Sequence, residues 1–346
     1  MTVFSAPGSG RLLAAALALC LAVPAVGPGT AGATVPCEEA ADCDALFALP
    51  GGLTIPLYSN YSLQDANPAI TRAVILVHGN GRNPESYFKT LIRALKRAGR
   101  RADTLAIVPY FGLGHDRFNR EDDEVYWDRS RGWKQGDRSS RDFDRRISSF
   151  AVLDAVLDRL GDGDAFANLG VIVIAGHSAG GQFVQRYAAG HPPNPATDRL
   201  RRRYIVANPS SYLYLNRHRP APGFSDGFAP PGPDERCRYN RYKYGMEERN
   251  AYMARTDVET LIARYRSREV IYLLGEMDTD PDARSLDKRC QAMAQGRHRH
   301  ERGRIFKAYM DRFFSPHDHR LEIVPGVGHS ARRMFTSPEG LAALFD

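Results

Sequence analysis

The fold is decided by one stretch of the chain, residues 171–181, which has the sequence VIVIAGHSAGG. It begins as a run of β-branched and small apolar residues, a composition typical of a buried strand. The run leads directly into Gly-x-Ser-x-Gly, with Ser178 at its centre, and an amphipathic stretch follows. A strand before this motif and a helix after it form the sharp turn that exposes a nucleophilic serine. Glycine is needed at 176 and 180 because side chains there would collide with neighbouring backbone.

Apolar runs typical of buried parallel strands alternate along the chain with helical patterns. We predict strands at 73–77, 169–175 and 270–274, weaker strands at 104–108, 204–207 and 321–324, and helices at 84–97 and 147–160. This alternation predicts a single α/β domain, in which a mostly parallel sheet is covered by helices on both faces. Ligands bind at the carboxyl ends of the strands in such sheets, so the residues just past each strand are the first candidates for a site.

A serine nucleophile needs a base that accepts its proton and a third group that orients the base. We predict His329 to be the base, because it lies in a glycine-rich loop just past the last predicted strand. Two competing histidines, His317 and His319, precede that strand and are expected at the wrong edge of the sheet.

The third group is predicted among the carboxylates that follow the strand at 270–274. Asp278 is the preferred residue, and its competitors are Glu276, Asp280 and Asp282. A carboxylate in a turn is also commonly a helix cap or a turn former, which is the competing interpretation.

The strand at 73–77 ends in the sequence His-Gly-Asn-Gly, residues 78–81. We predict that the backbone N–H groups of Asn80 and Ala179 form an oxyanion hole, which stabilises the negative charge of a tetrahedral intermediate. His78 is expected to brace this loop rather than to act as a second base.

These motifs resemble those of the α/β-hydrolase superfamily: His-Gly-Asn-Gly at 78–81, the serine motif at 176–181, Asp278 and Gly328-His329. The resemblance implies the α/β-hydrolase fold, with an eight-stranded, mostly parallel sheet and a Ser-Asp-His triad in the chain order known for it. The resemblance does not set the substrate. The leading interpretation of the triad is hydrolysis of a small or polymeric ester through an acyl-serine intermediate. A peptidase, an amidase or an acyltransferase would use the same triad, and a non-catalytic binding protein on this scaffold is the alternative of a different class.

Two segments interrupt the alternation of strands and helices, at about 110–141 and 210–255. Both are rich in aromatic and charged residues and are predicted to be ordered loops or a small lid. The competing interpretation is that the aromatic rings pack inside the protein and anchor these loops. The candidates for lining a substrate pocket are Trp127, Trp133, Lys134 and Tyr212, together with Asn208 and Ser210 after the strand at 204–207.

The first 33 residues contain one arginine, no acidic residue and the apolar run 12–23. This composition predicts a secretory signal peptide over 1–33 and a mature domain over 34–346. The run is too short for a confident membrane span, so no stable span is expected after cleavage. The protein is therefore expected to be exported, to a periplasm or out of the cell.

Export would leave four cysteines in an oxidising compartment, where an even number favours disulfides. Three pairings are open. We favour Cys37 with Cys43 and Cys237 with Cys290, because the first two are close in sequence.

The formal net charge is +7, but most arginines are scattered among acidic residues and no nucleic-acid-binding motif accompanies them. Solvated surface is the preferred interpretation, and attraction to acidic substrates stays open. Neither a metal-ligand spacing nor a dinucleotide fingerprint is present, so no metal and no cofactor are expected. The sequence leaves the oligomeric state open.

Overall fold

The computed structural model describes residues 1–5, 35–116, 123–129, 132–221, 227–232 and 236–346. The chain divides into two units, Met1–Ala33 and Thr34–Asp346. Most of the predicted signal peptide, and with it the apolar run 12–23, lies outside the described residues. The second unit contains all the strands and helices described below.

The strands of the second unit form one large sheet and one small hairpin. They are β1 (Asp44–Leu49), β2 (Leu53–Ser59), β3 (Arg72–Val77), β4 (Thr104–Pro109), β5 (Val171–His177), β6 (Arg201–Ala207), β7 (Arg219–Pro220), β8 (Phe228–Ala229), β9 (Glu269–Gly275) and β10 (His319–Val324). The large sheet has eight strands in the order β1-β2-β4-β3-β5-β6-β9-β10. Pairing is antiparallel between β1 and β2 and between β2 and β4, and parallel across the rest of the sheet. The predicted mostly parallel α/β sheet is confirmed.

Helices cover both faces of the sheet, as predicted. They are α1 (Pro84–Ala98), α2 (Ser149–Leu160), α3 (Ala179–Gly190), α4 (Val258–Arg266), α5 (Cys290–Met293), α6 (Arg299–Phe314), α7 (Ala331–Phe335) and α8 (Pro338–Phe345). Alternate residues of each central strand enter two separate cores. In β3, Ile75 belongs to the core that contains side chains of α2, α3, α4 and α6, whereas Val74 belongs to the core that contains side chains of α1, α7 and α8. Each face of the sheet is thus covered by its own set of helices.

The antiparallel edge formed by β1 and β2 was not predicted from the sequence. In β2 the side chains alternate between buried and half-buried, which is the period of two expected of a strand with one face toward the core. β1 lies at the edge of the sheet, and only Phe47 and Leu49 of its six side chains are buried. β1 is a short run of five apolar residues after Asp44, and it lacks the alternation of polar and apolar residues that identifies a half-buried strand.

The two inserts are mostly loop in their described parts. The first contains a single 3₁₀ turn at Trp133–Gln135, and the second contains the β7–β8 hairpin and a 3₁₀ turn at Met253–Arg255. They contact each other, because the side-chain amide of Asn250 donates to the carbonyl of Gln135 at 2.8 Å and to Asp137 Oδ1 at 3.1 Å.

Both predicted disulfides are present. Cys37 pairs with Cys43 near the start of β1, and Cys237 pairs with Cys290 at the start of α5, with Cα–Cα distances of 5.8 and 5.6 Å. Among the helices of the described residues, none combines the length and the apolar character needed to span a bilayer.

Candidate active site

Ser178 lies in the turn between β5 and α3, with a φ of 61°. A non-glycine residue in this left-handed region is held there by its surroundings at an energetic cost. The neighbouring glycines make the turn sterically feasible. A Cβ at Gly176 would lie 2.3 Å from the carbonyl oxygen of Gly180, and a Cβ at Gly180 would lie 2.1 Å from that of Val77. The backbone therefore presents the Ser178 side chain at the carboxyl end of the sheet.

The three residues predicted as a triad meet at this edge of the sheet. Nε2 of His329 is 3.0 Å from Oγ of Ser178, and Nδ1 of His329 is 2.7 Å from Oδ2 of Asp278. Because the ionised carboxylate can only accept, Nδ1 carries the proton and Nε2 is free to accept from the serine hydroxyl. This chain of hydrogen bonds is the geometry that a general base requires.

A fourth residue, Arg299 at the start of α6, contacts the oxygen of the Asp278 carboxylate that His329 does not use. Its Nη1 is 3.3 Å from Asp278 Oδ1, and its Nη2 donates to Ser285 Oγ at 2.9 Å. The side chains of Arg299 and Asp278 are 0% and 3% exposed, so each compensates the burial of the other. Sequence reasoning missed Arg299 because it lies in a stretch dense in basic residues, which predicts surface.

His177, which precedes the serine, packs against the base. The two rings of His177 and His329 have centroids 4.5 Å apart, and the hydroxyl of Tyr87 lies 3.3 Å from Nδ1 of His177. Burial lowers the pKa of His177 well below its usual value of 6.5, so this ring is neutral at neutral pH. A neutral neighbour does not oppose a positive charge on His329 when that ring takes up a proton.

The loop after β3 is braced by His78, as the sequence predicted. Its Nε2 accepts from the backbone N–H of Phe111 at 3.0 Å, and its Nδ1 donates to the carbonyl of Gly79 at 2.9 Å. Burial lowers the pKa of His78 to about 4, which keeps the ring in this neutral form. Asn80, in this loop, lines the same cavity as Ser178 and Ala179.

This cavity has a volume of about 450 Å³. Its wall is mainly polar and combines the serine turn, the loop after β3 and the segment between β9 and α5. The lining residues are Asn80, Lys134, Ser178, Ala179, Gln182, Ser210, Lys243, Arg284, Ser285, Leu286, Asp287, Lys288 and Arg289. Lys134 and Ser210, both candidates from the sequence, are among them.

The other predicted pocket residues lie in the interior and not along the cavity. Trp127 and Trp133 are 1% and 0% exposed and pack against Phe111, with ring centroids 5.4 and 5.6 Å apart. Tyr212 stacks on Phe306 at 4.5 Å. Oδ1 of Asn208 accepts from the backbone N–H of Gly275 at 2.8 Å, which ties β6 to β9. The aromatic rings of the inserts thus anchor those loops, which corrects the predicted binding role.

Among the described residues, no group of three or more His, Cys, Asp or Glu side chains is arranged to hold a metal ion.

The chain belongs to the Alpha/beta hydrolase family, whose model matches residues 74–344. Poly(aspartic acid) hydrolase-1 from Sphingomonas sp. KT-1 is similar in structure, with a TM-score of 0.62 and 23% identity over 88% of this chain and 98% of that one. LpqC, a poly(3-hydroxybutyrate) depolymerase from Bordetella parapertussis, has a TM-score of 0.57 and 20% identity over 84% of this chain and 85% of its own. No curated protein matches the chain. At these identities the two likenesses establish the fold.

Proposed function

We propose that the protein is a serine hydrolase that cleaves carboxylic esters through an acyl-Ser178 intermediate. The observation that carries the proposal is the continuous hydrogen-bonded chain from Ser178 Oγ through the His329 ring to Asp278, with separations of 3.0 and 2.7 Å. Ser178 is held in strained backbone geometry at the mouth of a cavity, which is where a reacting ester would lie.

In the first half of the reaction, the Ser178 proton moves to Nε2 of His329 as Oγ bonds to the ester carbonyl carbon. The former carbonyl oxygen becomes negative and is held by the N–H groups of Asn80 and Ala179. His329 then gives its proton to the departing alcohol oxygen, and the C–O bond breaks. In the second half, water loses a proton to His329, attacks the acyl carbon and releases the acid, and Ser178 regains its proton.

Labelling with a fluorophosphonate tests the nucleophile. The wild-type domain is expected to be labelled and to hydrolyse p-nitrophenyl esters, whereas Ser178→Ala should lose both properties. Ser86→Ala provides a matched control, because Ser86 is exposed on α1 and lies outside the proposed site. An unlabelled wild type with normal stability would reject the proposal and favour a non-catalytic binding protein on the hydrolase scaffold.

We also propose that the protein is exported. The composition of residues 1–33 and the two disulfides support this proposal, since disulfides persist in oxidising compartments. Expression of the full chain in a bacterial host, followed by N-terminal sequencing, should give a mature form that begins near Thr34. A form in the extracytoplasmic fraction that retains Met1 would contradict cleavage.

A further inference from the structure

The cavity beside Ser178 is lined by an unusual set of charges. Its wall contains five cationic side chains and one carboxylate, that of Asp287. The cations belong to two inserts and to the segment before α5, and they are Lys134, Lys243, Arg284, Lys288 and Arg289. A second cavity, near the amino ends of β6, β9 and β10, has no such excess, because its three arginines are accompanied by the four acidic residues Glu269, Glu322, Glu339 and Asp346.

Asp287 cannot neutralise this set, because its own oxygens are already engaged. Its Oδ2 accepts from the Tyr244 hydroxyl at 2.7 Å and lies 3.3 Å from Nζ of Lys243, and Nη1 of Arg289 is 3.9 Å away. Although burial alone raises the pKa of Asp287, the charge of Lys243 and the Tyr244 hydroxyl lower it to about 2. One carboxylate is therefore shared by two cations.

The other cations of the wall are half-buried or exposed. Nζ of Lys134 donates to Asn80 Oδ1 at 3.1 Å. Lys288 reaches Asp282, at 3.2 Å, but that carboxylate is 90% exposed, and such a pair contributes little. Arg284 is exposed, and no hydrogen bond or ion pair of its side chain occurs within the described residues.

Lys243 distinguishes this wall from an ordinary solvated surface. Its side chain is only 5% exposed, and its Nζ also lies 3.4 Å from Oε1 of Gln182. Burial, together with the positive charges of Arg186 and Lys134, lowers the pKa of Lys243 well below its usual value, against the opposing effect of Asp287. Its ionic partner among the described residues, Asp287, is shared with Arg289, so a second anion at this wall would compensate the buried ammonium more fully.

We propose that this cavity binds an anionic group of the substrate, a carboxylate or a phosphate, through Lys134, Lys243 and Arg289. The inference rests on the proposed function, since it assigns the substrate class of the same site. The anion would take the place of water at the cationic wall while the ester carbonyl lies at Ser178. The protein is then selective for esters of acids that carry a second negative charge.

The segment that carries Asp287 and Arg289 is held by hydrogen bonds and by a disulfide. The backbone carbonyl of Asp287 accepts from Nη1 of Arg302 at 3.0 Å, and Oδ1 of Asp287 accepts from the backbone N–H of Arg289 at 3.3 Å. The next residue, Cys290, is bonded to Cys237 of the second insert. Binding to preorganised donors avoids the entropic cost of ordering them, which favours affinity for the anion.

Two p-nitrophenyl esters that differ by one charge test the inference: p-nitrophenyl hydrogen adipate, which is anionic, and p-nitrophenyl methyl adipate, which is neutral. We expect kcat/KM for the anionic ester to exceed that for the neutral one by about tenfold or more, the effect of one charge-assisted hydrogen bond. NaCl at about 0.5 M should reduce this ratio by screening. Competition by adipate but not by inorganic phosphate would identify the anion as a carboxylate, and the reverse would identify a phosphate.

Substitutions of the wall residues test which side chains bind the anion. We expect three variants, Arg289→Gln, Lys134→Met and Lys243→Met, each to lower the ratio of the two kcat/KM values toward one. If the variant of the buried Lys243 does not fold, the other two still test the proposal. Because both esters are compared on the same protein, a general loss of catalytic efficiency cancels from the ratio. Lys89→Met on α1 is the matched control, since Lys89 is exposed and pairs with Glu85.

The two proposals fail in different ways. A wild type that is labelled at Ser178 and hydrolyses the neutral ester, but has a ratio near one, would overturn the anion site and leave the esterase intact. A ratio that stays high in all three variants would also overturn it. An unlabelled wild type would overturn both.

Discussion

The guanidinium of Arg299 contacts the one oxygen of Asp278 that His329 does not use, at 3.3 Å, and neither side chain has appreciable contact with water. A buried carboxylate without such a partner would favour its protonated form. Protonated, it could no longer hold His329 in the tautomer that accepts from Ser178. In the proposed mechanism, Arg299 is thus a positioning residue, which acts through Asp278.

Replacing Arg299 tests this relationship. Arg299→Met should lower kcat/KM by about 10²-fold, less than the about 10⁴-fold that follows loss of the acid's charge in a serine triad. Arg299→Lys keeps the positive charge beside Asp278 and should restore part of the activity. Equal activity of the Met and Lys variants would contradict a role for this charge.

Backbone atoms lie so close to Gly180 in the serine turn that we predict a larger residue there to destabilise the protein. Gly180→Ala would place a Cβ 2.1 Å from the carbonyl oxygen of Val77 and 2.8 Å from that of His78. We expect a loss of about 3 kcal/mol in the free energy of unfolding, at the upper end for overpacking, together with loss of labelling at Ser178. Gly232→Ala has open space around its Cβ and is the control. Urea denaturation measures the free energy of unfolding of both variants, and equal values would contradict the steric argument.

Buried neutral histidines predict a loss of stability in mild acid. Burial lowers the pKa of His319 to about 4 from 6.5, so the unfolded chain takes up the proton first as the pH falls. The stabilisation is complete above about pH 6.5 and is lost progressively toward pH 4, on the order of 3 kcal/mol. His78 contributes with the same sign.

A His319→Gln variant isolates this contribution. Its free energy of unfolding, measured by denaturant melts from pH 7 to pH 4, should decline less steeply than that of the wild type, because the residue that titrates has been removed. Curves that run parallel over this range would show that His319 does not contribute to the acid lability.

The two disulfides close loops of different length, with sequence separations of 6 and 53 residues. In the chain-entropy account, the longer loop contributes about 4 kcal/mol and the shorter one about 2 kcal/mol. The double variant Cys237→Ala/Cys290→Ala should therefore unfold at a lower urea concentration than Cys37→Ala/Cys43→Ala. The opposite order of midpoints would mean that local packing, and not loop closure, determines the stabilisation.

Ser178 and Asp278 follow strong apolar strands and His329 follows a weaker one, all at the same edge of a parallel sheet, so the elements that place these residues could be predicted from the sequence. The edge strands β1 and β2 were missed, because β1 does not alternate between polar and apolar residues and Pro56 interrupts β2. The apolar side chains at every second position of β2 were the available signal.

The pocket was much less predictable from sequence than the triad. Trp127, Trp133 and Tyr212 are core residues although they lie in polar inserts, because long ordered loops need aromatic anchors of their own. Conversely, Arg299 and Lys243 are buried although their type predicts exposure. Their burial depends on partners from distant parts of the chain, such as Asp278 and Asp287, and no local pattern encodes such pairs.

Ser178 and His329 are separated by 151 positions, and the strand that precedes His329 joins the sheet only by pairing with β9. A ribosome therefore finishes the serine turn long before it makes the imidazole. Until that last strand has docked, the proposed nucleophile lacks its proposed proton acceptor. In the proposed mechanism, hydrolase activity would thus report that β10 has joined the sheet.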